Sequence, residues 1–104
     1  MLRIQLTAEA KADLDQLRIY LGPISPKGLQ NIVNAIETRI RLVAEYPASG
    51  RPSPRDDVRE AIEPKYGFLI PYVLKGDTLH VLRVYRGVRR PLDYQLLPSP
   101  DENT

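Results

Sequence analysis

The sequence contains no cysteine and only one histidine, His80. The absence of cysteine excludes disulfide bonds and thiolate metal ligands, and a single histidine argues against a zinc site. No apolar run approaches the roughly 18–20 residues that a membrane-spanning helix requires, and the first six residues lack the apolar core of a signal peptide. We therefore expect a cytoplasmic protein with no membrane contact, no bound metal and no cofactor.

Acidic residues are missing from one stretch near the end of the chain. The net charge over 104 residues is only +2, but Arg83, Arg86, Arg89 and Arg90 fall within eight residues that contain no acid. Such a cluster can bind phosphate groups or an acidic protein surface. The arginines could also simply keep the end of a strand hydrated, but their density favours a partner-binding patch.

The first half of the chain has the pattern of one strand followed by two helices. Apolar and polar residues alternate over residues 2–6, which predicts a strand, and Thr7 can cap the helix that follows. The apolar residues of that helix recur at helical spacing and make one stripe: Ala10, Leu14, Leu17 and Leu21. Gly22-Pro23 predicts its end. Ser25-Pro26 predicts the start of a second helix, which should finish near Tyr46, before Pro47.

The second half predicts strands separated by turns. Residues 48–57 are rich in glycine, proline and serine and predict a loop, and residues 58–62 alternate as a short strand. Two apolar runs, 66–74 and 78–90, flank the break Lys75-Gly76-Asp77 and predict a β-hairpin. Pro71 lies inside the first run and is expected at an edge-facing position or a bulge, because proline cannot donate to a ladder.

The predicted order of elements is therefore β-α-α-β-β-β. It indicates a small α+β domain over residues 1–97, with a helical hairpin packed on an antiparallel sheet and a flexible tail over residues 98–104. We expect the first strand to pair with one of the three later strands. The second face of the sheet must be covered or remain exposed to water.

The order of elements and several short motifs resemble the RelE/ParE superfamily of toxins from type II toxin–antitoxin systems. In this sequence the motifs are Ala10 with Asp13-Leu14, Pro47 with Gly50-Arg51, Val58-Arg59-Glu60, and the closing stretch that ends in Gly87-Val88-Arg89. The resemblance extends from Leu2 to about Arg90. It implies a toxin fold and a small antitoxin partner whose C-terminal segment folds onto the toxin.

The superfamily implies two possible activities. ParE-like members inhibit DNA gyrase, whereas RelE-like members are ribosome-dependent mRNA endonucleases. The Pro47…Arg51 and Val58-Arg59-Glu60 motifs look more like those of ParE, and Leu69 stands where a RelE-like arginine would be expected. We therefore favour gyrase inhibition, with Arg83, Tyr85, Arg86, Arg89 and Arg90 as target-binding residues and no catalytic residue.

In the alternative, the chain cleaves mRNA on the ribosome with Arg59, Arg89 and Tyr94. Such cleavage needs a base, an acid and cations around the phosphorane. His80 lies in the middle of a strand and is a poor base, and Arg59 and Glu60 are strand neighbours that point to opposite faces. We expect Tyr20, Tyr46, Tyr66 and Tyr72 to serve in packing. A third possibility is a degenerate toxin fold that is kept as a binding module.

Overall fold

The computed structural model describes residues 2–86 and 94–98. In chain order it contains strand β1 (Arg3–Leu6), helix α1 (Ala8–Leu21), helix α2 (Pro26–Glu45), and strands β2 (Arg51–Pro52), β3 (Arg59–Glu63), β4 (Phe68–Lys75), β5 (Thr78–Val81) and β6 (Tyr85–Arg86). Short 3-10 turns lie at Pro47–Ser49 and Tyr94–Leu96. The predicted α+β class and the helical hairpin on a sheet are confirmed.

Both helices begin where their capping residues predict. The Thr7 hydroxyl accepts the Ala10 N–H at 3.1 Å, and the Ser25 hydroxyl accepts the Gly28 N–H at 3.1 Å. These bonds satisfy backbone donors that have no partner inside the first turn of a helix. The helix α2 stops at Glu45, one residue earlier than predicted and still ahead of Pro47.

The sheet has the order β1-β5-β4-β3-β2, and β6 also pairs with β4. The strands β3, β4 and β5 form the predicted antiparallel meander, whereas β1 pairs with β5 in the parallel sense. The sheet is therefore mixed and not purely antiparallel. The parallel pair is possible because the helical hairpin separates β1 from the rest of the sheet, so β1 needs no tight turn to reach β5.

The main core lies between the helices and one face of the sheet. It contains Ile36, Ile40 and Val43 from α2 and Ile70, Tyr72 and Leu79 from the sheet. The second face carries a smaller cluster of Val58, Leu82 and Tyr94, against which Val73 and Leu97 pack. The segment around Tyr94 thus covers part of the second face.

Residues 78–90 were predicted as one continuous strand, but within the described part β5 ends at Val81 and β6 begins at Tyr85. Pro71 explains where the break falls, because the Leu82 N–H donates to the Pro71 carbonyl at 2.9 Å but Pro71 has no N–H to donate to the Leu82 carbonyl in return. The Thr7 hydroxyl donates to that carbonyl instead, at 2.8 Å. Pro71 is therefore tolerated in a central strand, where the sequence predicted an edge-facing position or a bulge.

Two tyrosines lie elsewhere than predicted. Tyr20 and Tyr46 are 68% and 58% exposed, whereas Tyr72 is buried and Tyr66 packs against the main core. Tyr20 lies in the last turn of α1.

Candidate functional site

The strand β6 presents a basic side chain at one end of the sheet. Arg86 pairs with Phe68 of β4, and its guanidinium carbon lies 5.9 Å from the centre of the Phe68 ring. Its Nε donates to the Tyr66 carbonyl at 3.2 Å. The remaining N–H donors of the guanidinium are used by no partner in the described part of the chain. Arg86 is therefore exposed, held in place, and able to bind an anion with its fork.

Lys65 lies in the turn between β3 and β4, at the same end of the sheet as Arg86. Its ammonium nitrogen lies 5.5 Å from the centre of the Tyr66 ring. The buried Glu63 carboxylate accepts the backbone N–H groups of Lys65 and Tyr66 at 2.8 and 2.9 Å, and Gly67 completes the turn with a φ of 81°. Sequence analysis missed Lys65. The adjacent basic and aromatic residues Lys65-Tyr66 were the signal that could have identified it.

Arg83 is bound to the helix α1. Its Nε donates to the Asp13 Oδ2 at 2.6 Å and its Nη2 to the Oδ1 at 2.9 Å, while the Val84 N–H also donates to the Oδ2 at 2.9 Å. The hydrogen bond to this carboxylate raises the pKa of Arg83 above its usual value. The guanidinium also lies 5.8 Å from the centre of the Tyr85 ring. Asp13 of the predicted Asp-Leu motif therefore fixes the chain just before β6.

The motif residues of the loop after α2 are held by β3 and β4. The buried Tyr72 hydroxyl donates to the Pro47 carbonyl at 2.6 Å and accepts the Gly50 N–H at 3.0 Å. Arg59 donates to the Gly50 carbonyl at 2.7 Å. Gly50 has an ordinary φ of −70°, but a Cβ at this position would clash with the Tyr72 ring. Glycine is therefore required here by the close approach of Tyr72.

Arg51 and Glu60 complete this anchor. The two residues are paired across β2 and β3, and the Arg51 Nε lies 2.5 Å from the Glu60 Oε1. The Glu60 side chain is only 7% exposed, so its charge needs this partner. The predicted Pro-Gly-Arg loop and the Arg59-Glu60 pair thus form one structural unit.

Arg59 and Tyr94, the two residues of the nuclease alternative that the structure describes, do not form an accessible acid–base pair. Arg59 binds the loop carbonyl, and Tyr94 is only 8% exposed, in the cluster on the second face of the sheet. The Tyr94 hydroxyl has no partner within residues 2–86 and 94–98, and neither does the Nδ1 atom of the buried His80. Arg89, like Arg90, lies outside the described residues.

An apolar groove lies between the helical hairpin and the edge strand β1. Its apolar lining consists of Ile4, Leu6, Leu14, Val33, Ile36 and Ile40, and its charged lining of Arg18, Glu37 and Arg41. The strand β1 stands at one end of the sheet order, so no described strand pairs with its outer edge. Ile4 is 36% exposed. An amphipathic segment could bind in such a groove and alongside such an edge.

Within residues 2–86 and 94–98, no three histidine, cysteine or acidic side chains come together in a way that could hold a metal ion. None of the helices in this part of the chain is long and apolar enough to span a membrane.

Comparisons with known proteins agree with the motifs. The profile of the family described as the ParE toxin of the type II toxin–antitoxin system, parDE, matches residues 4–91. Y4kP of Sinorhizobium fredii, described by name as a candidate toxin, is 35% identical over 75 residues, which are 72% of this chain and 78% of that protein. The toxin RelE2 of Caulobacter vibrioides is 29% identical over 89 residues, covering 86% of this chain and 99% of the relative.

Solved structures agree with the fold. A chain of the chromosomal ParDE toxin–antitoxin system of P. aeruginosa superposes with a TM-score of 0.71 at 28% identity, over 83% of this chain and 96% of that chain. The protein HP0894 of Helicobacter pylori shares the fold, with a TM-score of 0.54 at 20% identity over 85% of this chain and 97% of its own. Because the family profile covers most of the sequence, the chain belongs to the ParE family of toxins of type II toxin–antitoxin systems.

Proposed function

We propose that this toxin inhibits DNA gyrase in the bacterial cytoplasm and is neutralised by a cognate antitoxin. The observation that carries the proposal is the match of residues 4–91 to the ParE toxins of parDE systems. The resemblance described above associates ParE-like members with gyrase and RelE-like members with mRNA on the ribosome.

The proposed target-binding residues are Arg83, Tyr85, Arg86, Arg89 and Arg90. Arg86 supports this role because it is exposed and only its Nε has a hydrogen-bond partner, the Tyr66 carbonyl, within the described part of the chain. Arg83 lies just before β6, where its guanidinium carbon is 5.8 Å from the centre of the Tyr85 ring and its Nε is bound by Asp13. The contribution of Arg89 and Arg90 rests on the sequence alone.

The positions of three side chains support a toxin that binds its target over a nuclease. His80 is 5% exposed and Tyr94 is 8% exposed, so neither side chain can reach an RNA 2′-hydroxyl without a rearrangement. Arg59 is bound to the carbonyl of Gly50. A general base must come within hydrogen-bond reach of the proton that it removes, and these side chains do not offer one.

The apolar groove beside β1 is the proposed antitoxin site. An antitoxin segment with apolar residues at helical spacing would cover Ile4, Leu14 and Val33, and an extended segment could add to the outer edge of β1, with which no described strand pairs. Burial of this apolar surface would supply most of the affinity. The charged lining, two arginines against one glutamate, favours a segment with acidic residues beside its apolar face, and Arg41 already lies 3.8 Å from Glu37.

The target is tested by inducing the toxin without its antitoxin and pulse-labelling DNA and protein synthesis in parallel. We expect DNA synthesis to fail first, and purified toxin to inhibit plasmid supercoiling by gyrase. Arg86→Glu should abolish both effects, whereas Lys27→Glu, which reverses an exposed charge at the start of α2, should retain them. Earlier failure of protein synthesis, with new RNA ends inside translated messages, would instead favour the nuclease.

The antitoxin site is tested with the protein encoded by the reading frame expected beside the toxin gene. Val33→Asp places a charge in the apolar groove and should weaken antitoxin binding by about 100-fold or more. Ile19→Asp is the control, because Ile19 is 68% exposed and does not line the groove. Equal affinities of the two variants in calorimetry would contradict the assignment of the groove.

A further inference from the structure

The turn between β3 and β4 and the strand β6 bring exposed cations together at one end of the sheet. Lys65 and Arg86 are both exposed, and both lie beside Tyr66: Lys65 over its ring and Arg86 on its carbonyl oxygen. Neither cation forms an ion pair within the described part of the chain. The nearby Glu63 is only 3% exposed and its carboxylate is occupied by two backbone N–H groups. The exposed charge of this surface is therefore positive.

We propose that Lys65 and Arg86 bind the phosphodiester backbone of duplex DNA. The proposal rests on the proposed function in one respect, since the relevant duplex would be the DNA on which gyrase acts. DNA would be a second partner of the toxin, with a different chemistry from that of the target protein. The contact also assigns a role to the turn that carries Lys65.

The geometry of Arg86 suits a phosphate group. Its Nε is occupied by the Tyr66 carbonyl, which leaves the two terminal nitrogens to form parallel hydrogen bonds with two phosphate oxygens. The Phe68 ring beneath the guanidinium limits its motion. Less side-chain freedom is therefore lost on binding than for an unsupported arginine. Lys65 acts beside it as a point charge, held by the Tyr66 ring.

The same surface offers little of what a protein partner would bury. Phe68 is only 5% exposed, and Tyr66 is half-buried against the main core, so the rings support the cations and expose little apolar area. The core of a protein–protein interface is depleted in charge, whereas protein–DNA interfaces are more polar and more positive. The sequence places Arg89 and Arg90 within four residues of Arg86, which extends the basic character of this part of the chain.

The test is binding of purified toxin to a fluorescent duplex of mixed sequence, about 20 base pairs long, measured by anisotropy at several salt concentrations. Replacing two phosphate-binding cations should lower the magnitude of the salt slope by about 1.8, because each phosphate contact contributes about 0.9. We expect this for the double variant Lys65→Gln and Arg86→Gln, together with a loss of affinity of at least about tenfold at low salt.

The matched control is the double variant Lys11→Gln and Lys27→Gln, which removes the same charge from exposed positions on the two helices. It should keep the wild-type slope, and circular dichroism should show both double variants folded. Equal losses in the two double variants would overturn the proposal. So would a loss of binding to DNA-free gyrase in the Lys65 and Arg86 double variant with unchanged binding to the duplex, since that would identify a protein surface alone as the partner.

Gyrase inhibition is measured separately, so the two proposals can fail independently. A toxin that inhibits supercoiling but does not bind the duplex even at low salt would overturn the DNA contact and leave the gyrase proposal intact. A toxin that binds the duplex through Lys65 and Arg86 but does not inhibit gyrase would support the DNA contact and overturn the gyrase proposal.

Discussion

The hydroxyl of Tyr72 links the loop after α2 to the sheet, and its removal should have a measurable cost. In Tyr72→Phe the buried Gly50 N–H loses its acceptor, and the Pro47 carbonyl loses its donor. Leaving a buried donor unpaired costs about 1–3 kcal/mol, whereas the half-buried Pro47 carbonyl can turn to water at a smaller cost. We therefore expect the free energy of unfolding to fall by about 2 kcal/mol, measured by urea denaturation at neutral pH.

The pH dependence of that loss provides a second, independent check. Burial raises the pKa of Tyr72 above its ordinary value of 10.0, although the Gly50 N–H and the charge of Arg59 oppose the shift. Because the folded pKa is higher than the unfolded one, the stability that the neutral hydroxyl provides is complete below about pH 10 and is lost as the pH rises through the folded pKa. The difference between wild type and Tyr72→Phe should therefore be constant from about pH 7 to 9 and shrink above pH 10.

Tyr46→Phe is the matched control for Tyr72→Phe. Tyr46 is 58% exposed, so the loss of its hydroxyl should change the free energy of unfolding by less than about 0.5 kcal/mol at every pH. The reasoning would be refuted if Tyr72→Phe were as stable as this control, or if its deficit did not change above pH 10.

Two further predictions concern the contacts of α1 with the break between β5 and β6. Thr7→Val should lower the free energy of unfolding by about 2–3 kcal/mol, because it removes the helix cap and leaves the Leu82 carbonyl unpaired. Thr7→Ser keeps the hydroxyl and should stay within about 1 kcal/mol of wild type in the same denaturation experiment. Asp13→Asn should lower the free energy of unfolding by about 1–2 kcal/mol, a moderate loss because the ion pair with Arg83 is partly exposed. Asp15→Asn is the control, because the Asp15 side chain is 67% exposed. It should lower the free energy of unfolding by less than about 0.5 kcal/mol in parallel thermal unfolding. Equal stabilities of Thr7→Val and Thr7→Ser would contradict the role of the Thr7 hydroxyl. Equal stabilities of Asp13→Asn and Asp15→Asn would contradict the role of the Asp13 ion pair.

The sequence predicted the elements whose ends are set by local chemistry. Thr7 and Ser25 cap the helices as expected, because a cap needs only a side-chain oxygen and a helix immediately after it. The turn at Gly76 was predicted for a similar reason, because this glycine lies between two apolar runs. Its φ of 61° is one that glycine adopts without strain.

Features that depend on distant residues were not predicted. The break after Val81 requires Pro71 to lie opposite Leu82 and Thr7 to reach the Leu82 carbonyl, a contact between residues 75 positions apart. The ion pair of Asp13 and Arg83 spans 70 positions. The sequence alone does not show that Thr7 will contact Leu82 or that Asp13 will contact Arg83. Both contacts depend on the register of the sheet and on the packing of α1 against it.

The residues that reveal the family are mostly those that hold the fold together. Gly50 and Arg59 anchor the loop after α2, and Asp13 holds the chain before β6. A toxin of this fold needs such contacts whatever molecule it acts on, so these motifs identify the family more strongly than they identify the target. On the functions proposed above, discrimination between targets would lie in exposed side chains that the fold does not require, such as Lys65 and Arg86.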